Sequence, residues 1–444
     1  MEYENENKIE DNETQKVFNC YDDDLVYPFN IKPIYKFYSF ISDEEQLGPI
    51  ATFINIKEKD DSNQKLVCIK KIEKPYDTCS RGKKVLKLFS ILRQLNHDNI
   101  IRLNEFFVEQ KDNYDSAYLF FDNMPSNLER MIISSYDYNK SNKKIVPYIM
   151  LQIFKGLNYL HSVGIIHRNL KPSNILIDEN CHVKICGFGN AIFADDYENI
   201  SRGEQNDFIG EKLSLNYQAP EGLSSKKKCK EDYDEKVDLW AVGCILAELI
   251  TKESPFFTPL KISKTRWIAM LNGIFKKLGK PSKECIEDFA SKERAKNILK
   301  FKNFPKLELK DLYHNCEDKN AIDLVEKLLC INPKKRISIL EALEHPFFDC
   351  VRDLIKDDDF FIEEKPFKFE YKKEIDKMET KNEFYDEQIK YYKKTIKRLN
   401  GVYKKENTFN NNFTNQNNYN NNYNNFYYSN SYTASTEAFT NDNP

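Results

Sequence analysis

The residues best equipped for chemistry crowd into one stretch, residues 161–191, which reads HSVGIIHRNLKPSNILIDENCHVKICGFGNA. Arg168 and Lys171 stand there among two amides, Asn169 and Asn174, and a Gly-Phe-Gly turn follows at Gly187 to Gly189. An amide oxygen accepts hydrogen bonds but is too weak a base to take a proton from a hydroxyl. Asn169 can therefore shape this loop without acting as a general base. Arg168 and Lys171 make the set positive. Such a cluster attracts an anion and gives a metal cation little reason to stay.

Two kinds of element are needed to position this set. From Tyr35 the runs YKFYSFI, PIATFINI and KLVCIKKI read as short strands, followed by a helix over GKKVLKLFSILRQL and two more strands, NIIRLNEFF and SAYLFF. In that helix Val85, Leu88, Phe89 and Leu92 fall on one face. Beyond DNMPSNLERMI the pattern is helical, through VPYIMLQIFKGLNYLHSVG and VDLWAVGCILAELI to RISILEALEHPFF. The expected architecture is α+β and two-lobed, with a β-rich lobe over 34–121, a hinge at 122–127 and a helical lobe over 128–349. An acidic arm (1–33), a charged extension packing back on the lobes (350–405) and an Asn/Tyr-rich tail (406–444) complete the chain.

Composition narrows the function classes. A chain of 444 residues can bury one large core or two lobes sharing an interface. A formal charge of -3 makes no bulk electrostatic case for nucleic acid or membrane as main partner. The eleven cysteines are scattered, odd in number and free of any C-x-x-C pair. That pattern argues against a disulfide framework or a zinc site and for a reducing, cytoplasmic or nuclear setting. The polar start MEYENENKIEDNE has no secretory apolar core, and no run of about 18 apolar residues suggests a membrane span.

Over roughly Tyr35 to Arg398 the sequence resembles the protein kinases, most closely the mitogen-activated protein kinases of the CMGC group. The residues that carry the likeness are VCIKK with Lys70, HRNLKPSN with Arg168, Lys171 and Asn174, GFG, YQAPE with Glu221, DLWAVGCILAE with Asp238, NPKKRI with Arg336, and KPFKFE. The resemblance implies a nucleotide cleft lined by Gly48, Cys68, Lys70, Phe121, Met124, Lys171, Asn174 and Leu176. It implies structural roles for Arg168, Glu221, Asp238 and Arg336, with Glu221 and Arg336 as a buried ion pair, and an apolar column through His167, Phe188 and Leu92. Asp357, Asp358 and Asp359 fall where the family keeps an acidic patch for basic docking peptides, so signalling proteins are the implied partners; solvated loop charge is the plainer reading. Oligomeric state is left open.

The departures from the family pattern concern catalysis, nucleotide binding and activation. Asn169 stands at the catalytic Asp, Gly187 at the metal-holding Asp, and Leu88 at the Glu of the helix after Lys70. That helix offers Lys70 no acid, since Asp77 lies before it; a solvent-facing or structural lysine is the plainer reading. The glycine-rich loop shrinks to QLGPIA, with Gly48 alone and the stiff Pro49 beside it. Phe53 and Cys68 enlarge the roof of the pocket, through ordinary packing or by filling the adenine slot. The activating T-x-Y is replaced by Ile209, Gly210 and Glu211; Glu211 is either a permanent anion for Arg168 or a solvated surface acid.

Losing the base costs about 10²–10⁴-fold, and losing a metal carboxylate costs several kcal/mol more. One amide, Asn174, is a poor home for magnesium. The expectation is a pseudokinase without a metal site or a required cofactor, able to bind ATP without magnesium and acting as a regulatory scaffold. The competing expectation is a divergent serine/threonine kinase with a relocated acid, Asp178, Asp195 or Asp196 being the nearest. A structural module with a closed, ligand-free cleft is the third.

Overall fold

The computed structural model describes residues 38–46, 51–58, 66–75, 77–109, 116–134, 143–194, 214–224, 234–260, 265–290, 292–314, 316–356 and 367, with only the backbone path for those before 68. Outside them lie the acidic arm, Gly48, Asp195, Asp196, Ile209 to Glu211, the Asn/Tyr-rich tail and, Phe367 excepted, the charged extension beyond 356. The expected docking patch, Asp357, Asp358 and Asp359, also falls outside the described residues, directly after Lys356.

Strands β1 (Tyr38–Gln46), β2 (Ala51–Glu58), β3 (Leu66–Glu73), β4 (Leu103–Glu109) and β5 (Ser116–Asp122) form one antiparallel sheet in the order β1-β2-β3-β5-β4. β5, SAYLFFD, is buried from Ser116 through Phe121 because it lies between β3 and β4 rather than at an edge. β1 runs on through the polar SDEEQ, past an irregularity between Ile41 and Glu45, since an edge strand accepts charged residues. Helix α1 (Cys79–Leu92) starts at Thr78, whose side-chain oxygen accepts the Arg81 N–H at 3.1 Å and satisfies one of the first-turn donors. Val85, Leu88, Phe89 and Leu92 are all buried, each contributing roughly 1.5–3 kcal/mol. Phe89 stacks on Phe106 of β4 at 4.6 Å between centroids, which fastens the helix to the sheet.

The run NIIRLNEFF is not one strand. Ile100 bridges in parallel to Ile185, the Ile101 N–H donates to the Ile185 carbonyl at 2.9 Å, and the Ile185 N–H donates to the Asn99 carbonyl at 2.8 Å. The apolar pair before β4 thus ties the small lobe to the strand ending at Ile185 in the large one. The Asn99 amide donates to Gln152 Oε1 and to the Val183 carbonyl, both at 3.1 Å. Gln152 in turn takes the Val183 N–H at 2.9 Å, so these buried polar groups satisfy one another.

In the large lobe come β6 (Ser126–Asn127), α2 (Leu128–Ile133), α3 (Ile145–Ser162), β7 (Ile165–Ile166), β8 (Ile175–Ile177), β9 (Val183–Ile185) and β10 (Ile192–Phe193). They are followed by α4 (Pro220–Ser224), α5 (Lys236–Thr251), α6 (Arg266–Leu278), α7 (Lys283–Phe289), α8 (Lys292–Ile298), α9 (Leu309–Leu312), α10 (Lys319–Leu328) and α11 (Ile339–Leu343). Small sheets β6-β8-β9 and β7-β10 carry the candidate loop. From Val237 to its end α5 is buried all round, which explains a sequence apolar but for Asp238, Glu248 and Thr251 and makes it the axis of this lobe. Gly243 lets α10 approach α5 closely, because a Cβ there would stand 2.8 Å from the Leu328 Cβ.

Arg336, 2% exposed, pairs with Glu221 through two bonds of 2.7 and 3.1 Å, the ion pair the resemblance implied. It also donates to the carbonyls of Cys330 and Lys236 at 3.1 and 2.6 Å and lies over the Trp240 ring at 5.2 Å. This fork uses the planar guanidinium as an ammonium could not. A 3₁₀ run, Pro346–Leu354, crosses the expected boundary at 350, and the Phe367 N–H returns to the Val163 carbonyl at 2.9 Å.

Candidate active site and nucleotide cleft

α3 ends at Ser162, and β7 leads straight into His167-Arg168-Asn169. Asp238, buried on α5, clamps that turn: its carboxylate accepts the backbone N–H of His167 at 2.9 Å and of Arg168 at 2.8 Å, and Nε2–H of His161 at 3.0 Å. Burial alone would push the Asp238 carboxyl up. The His161 hydrogen bond and the nearby imidazoles outweigh it and hold the group below the usual carboxylate range. Two N–H groups aimed at one carboxylate explain how Arg168 is kept at φ 66, a left-handed conformation unfavourable to its side chain.

His167 is fully buried, and that burial lowers its pKa against the pull of Asp238. Its Nε2–H donates to the Cys186 carbonyl at 2.8 Å, and its Nδ1 accepts the Asn169 N–H at 3.3 Å. It meets Phe188 edge-on at 5.0 Å, and Leu92 is buried, in keeping with the expected apolar column. The turn through Arg168 and Asn169 is therefore held by Asp238 on one side and His167 on the other.

Asn169, Gly187 and Leu88, singled out in the sequence, all lie among the described residues. Asn169, 6% exposed, accepts the Ser214 N–H on its side-chain oxygen at 3.4 Å and the Asn174 side-chain N–H on its carbonyl at 2.8 Å. Gly187 sits at φ 87 directly before Phe188 and presents no side chain. Leu88 is 4% exposed and belongs to the core. Lys70 is half-buried on β3, and burial of its ammonium lowers its pKa despite the opposing influence of Cys186 and Cys68. Lys171 is lowered likewise by burial, against Glu129 and Cys186. Cys186 lies in the field of both lysines, yet burial pushes its thiol up to about 12. Lys70, Cys68 and Lys171 thus all lie near Cys186.

The strands place the remaining cleft residues. Cys68 and Phe121 are register partners on β3 and β5, Met124 lies half-buried between β5 and β6, and Leu176 is half-buried on β8 beside Asn127. These positions can line an apolar slot ending at two lysines, which suits a base joined to a phosphate chain.

Asp178, offered as a relocated acid, is committed elsewhere. In the β8–β9 turn it accepts the N–H of Asn180 at 2.9 Å and of His182 at 2.8 Å, and His182 Nδ1–H at 3.0 Å. These bonds hold its carboxyl below the usual range although its partial burial acts the other way. Sequence reasoning missed three contributors. His161 carries a weak signal in its position on the last turn of α3, Ser214 acts through its backbone and carries none, and Glu248 looks like any helix acid. Glu248 is buried and accepts from Tyr217 Oη at 3.2 Å, Ser254 Oγ at 2.8 Å and the Phe256 N–H at 3.0 Å.

Burial raises the Glu248 carboxyl from 4.5 to about 7. The folded state then holds this proton more tightly than the unfolded chain. Stability from the group is full below 4.5 and lost as pH rises through about 7, an effect of up to roughly 3 kcal/mol. Melting curves of the wild type and Glu248→Gln at pH 5 and 7.5 check this. The wild type should lose stability relative to the variant as pH rises, and a constant difference would refute it.

The protein kinase domain family matches residues 45–348. Mitogen-activated protein kinase hog-1 of Neurospora crassa is 34% identical over 310 residues, covering 69% of this chain and 78% of that protein. HOG1 of Gibberella zeae is 33% identical over 316 residues, covering 70% and 80%, and HOG1 of Candida albicans is 33% identical over 289, covering 65% and 70%. Together with the clamped His167 turn, the His167–Phe188 contact and the Glu221–Arg336 pair, this similarity establishes that the chain belongs to the protein kinase family, on its mitogen-activated, CMGC-type branch.

Proposed function

We propose that this chain is a mitogen-activated-type pseudokinase: a regulatory module that positions other signalling proteins, transfers little or no phosphate, and binds nucleotide weakly without magnesium. The observation that carries the reading is the chemistry of two positions within an intact scaffold. Asn169 follows the Asp238-clamped turn and Gly187 precedes Phe188, so both stand where the reaction needs a carboxylate and neither has one. The lysines remain: Lys70 and Lys171 both lie near Cys186. With acids absent at 88, 169 and 187, the cleft is about three charges more positive than a working site. An anionic phosphate chain is drawn to it, and a divalent cation is not.

Thermal-shift titration with ATP, with and without magnesium, tests this. The expected shift is small, on the order of 1–3 °C at millimolar ATP, and no larger with the metal. A strong magnesium-dependent stabilisation would contradict the proposal.

A further inference from the structure

A cavity of about 390 Å³ opens in the large lobe between the end of α6, α7 and the loop after α10, and the thiols of Cys285 and Cys330 both line it. Each cysteine is half-buried, so each is packed and still reachable from the cavity. Cys285 stands in the first turn of α7, its N–H on Ser282 Oγ at 3.3 Å, and Cys330 lies two residues past α10. Far apart in the chain, the two are brought to one place by the contacts beside them. Asp288 shares the α7 face of Cys285, three residues on, and its Oδ2 accepts the Asn332 side-chain N–H at 2.9 Å. Lys334 Nζ approaches the other Asp288 oxygen at 3.9 Å. The stretch that carries Cys330 is therefore fastened to the face of α7 that carries Cys285. Burial pushes the Cys285 thiol up, Cys330 and Asp288 add to that, and Lys335 acts the other way.

We propose that Cys285 and Cys330 form an oxidative modification site, which a hydroperoxide converts from two thiols into a disulfide across this cavity. One thiolate attacks the peroxide: an S–O bond forms as the O–O bond breaks, leaving a sulfenic acid and one water. The second thiolate attacks the sulfenyl sulfur, the S–S bond forms, and a second water leaves. The thiols give up two protons and two electrons, and hydrogen peroxide is reduced to two waters. Burial keeps Cys285 largely protonated at neutral pH, so the pair stays reduced until peroxide rises. That suits the reducing setting expected from the sequence, where disulfides are transient. The Cys330 carbonyl accepts Arg336 Nε–H at 3.1 Å, so the bridge ties α7 to the segment that holds Glu221. The proposal goes beyond the pseudokinase reading and does not rest on it.

Peptide mapping of the full chain is the test. Folded protein is treated with hydrogen peroxide, remaining thiols are alkylated, and the digest is analysed by mass spectrometry. A peptide pair joining Cys285 to Cys330, cleaved by dithiothreitol, should be at least about tenfold more abundant than from chain oxidised in concentrated urea, where the fold no longer pairs them. An equal yield from folded and unfolded chain would overturn the proposal. So would Cys285 and Cys330 emerging alkylated, or as separate sulfinic acids without the cross-linked pair. Cys285→Ser and Cys330→Ser give a second readout, because each removes one partner and leaves the other thiol in place. In one of the two variants the remaining cysteine should be trapped as its sulfenic acid by dimedone at least about tenfold more than in the wild type. No gain in either variant would mean that neither thiol resolves the other, and the proposal fails.

Discussion

Arg336→Ala is expected to leave the large lobe unable to fold stably. The side chain is buried, carries a full charge, and serves three groups at once: the Glu221 carboxylate and the carbonyls of Cys330 and Lys236. Its removal takes a full positive charge away from the Glu221 carboxylate, itself 1% exposed, in the core. Breaking a buried pair from one side costs about 3–5 kcal/mol, and the two lost carbonyl bonds add about 1 kcal/mol each. Against a total stability of about 5–15 kcal/mol, the sum removes most or all of the margin. The pair itself need not be favourable, since desolvating both ions offsets much of their attraction. Glu221→Met with Arg336→Met should therefore be better tolerated than Arg336→Ala alone. Soluble yield and urea unfolding of the three variants decide the matter. Arg336→Ala unfolding within about 1 kcal/mol of the wild type would show that the pair is not what ties α4 to the loop after α10.

How much of this was legible beforehand depends on whether a residue acts through its neighbours in sequence or across space. The apolar face of α1 was readable, because helical periodicity reports burial directly, and Val85, Leu88, Phe89 and Leu92 are all buried. Resemblance supplied Glu221 with Arg336, and His167 with Phe188, since such pairs recur at fixed spacing in the family; both meet in the fold. Periodicity misled at NIIRLNEFF, where Ile100 and Ile101 are apolar because they bridge to β9 and not because they continue β4. The closeness of Asn174 to Gly187 was implied by the resemblance alone, which sets both at one metal position; the left-handed backbone of Gly187 is a detail that spacing does not encode. Asp178 misled in the opposite sense: a carboxylate near the right loop in sequence caps a turn instead.

Phosphotransfer by the wild-type chain onto a generic substrate should fall at least about 10⁴-fold below that of a competent kinase, and Asn169→Asp alone should recover less than about tenfold. The substitution itself is structurally easy. An aspartate oxygen can keep the Ser214 N–H now held by Asn169 Oδ1, and the backbone bonds to His167 and Asn174 are untouched by it. It restores a proton acceptor worth about 3–5 kcal/mol in the transition state. That acceptor acts only on a hydroxyl already aligned with a neutralised phosphate, and nothing at Gly187 supplies the second condition. The two deficits are coupled, so repairing one reveals little of its worth. A radiolabel assay on the wild type, Asn169→Asp and Asn169→Ala discriminates the readings. If the wild type turns over within about 100-fold of ordinary kinase rates of about 1–100 s⁻¹, the pseudokinase reading fails. If Asn169→Ala then leaves that rate intact, the acid lies elsewhere in the chain, and Asp195→Asn with Asp196→Asn becomes the variant that should abolish it.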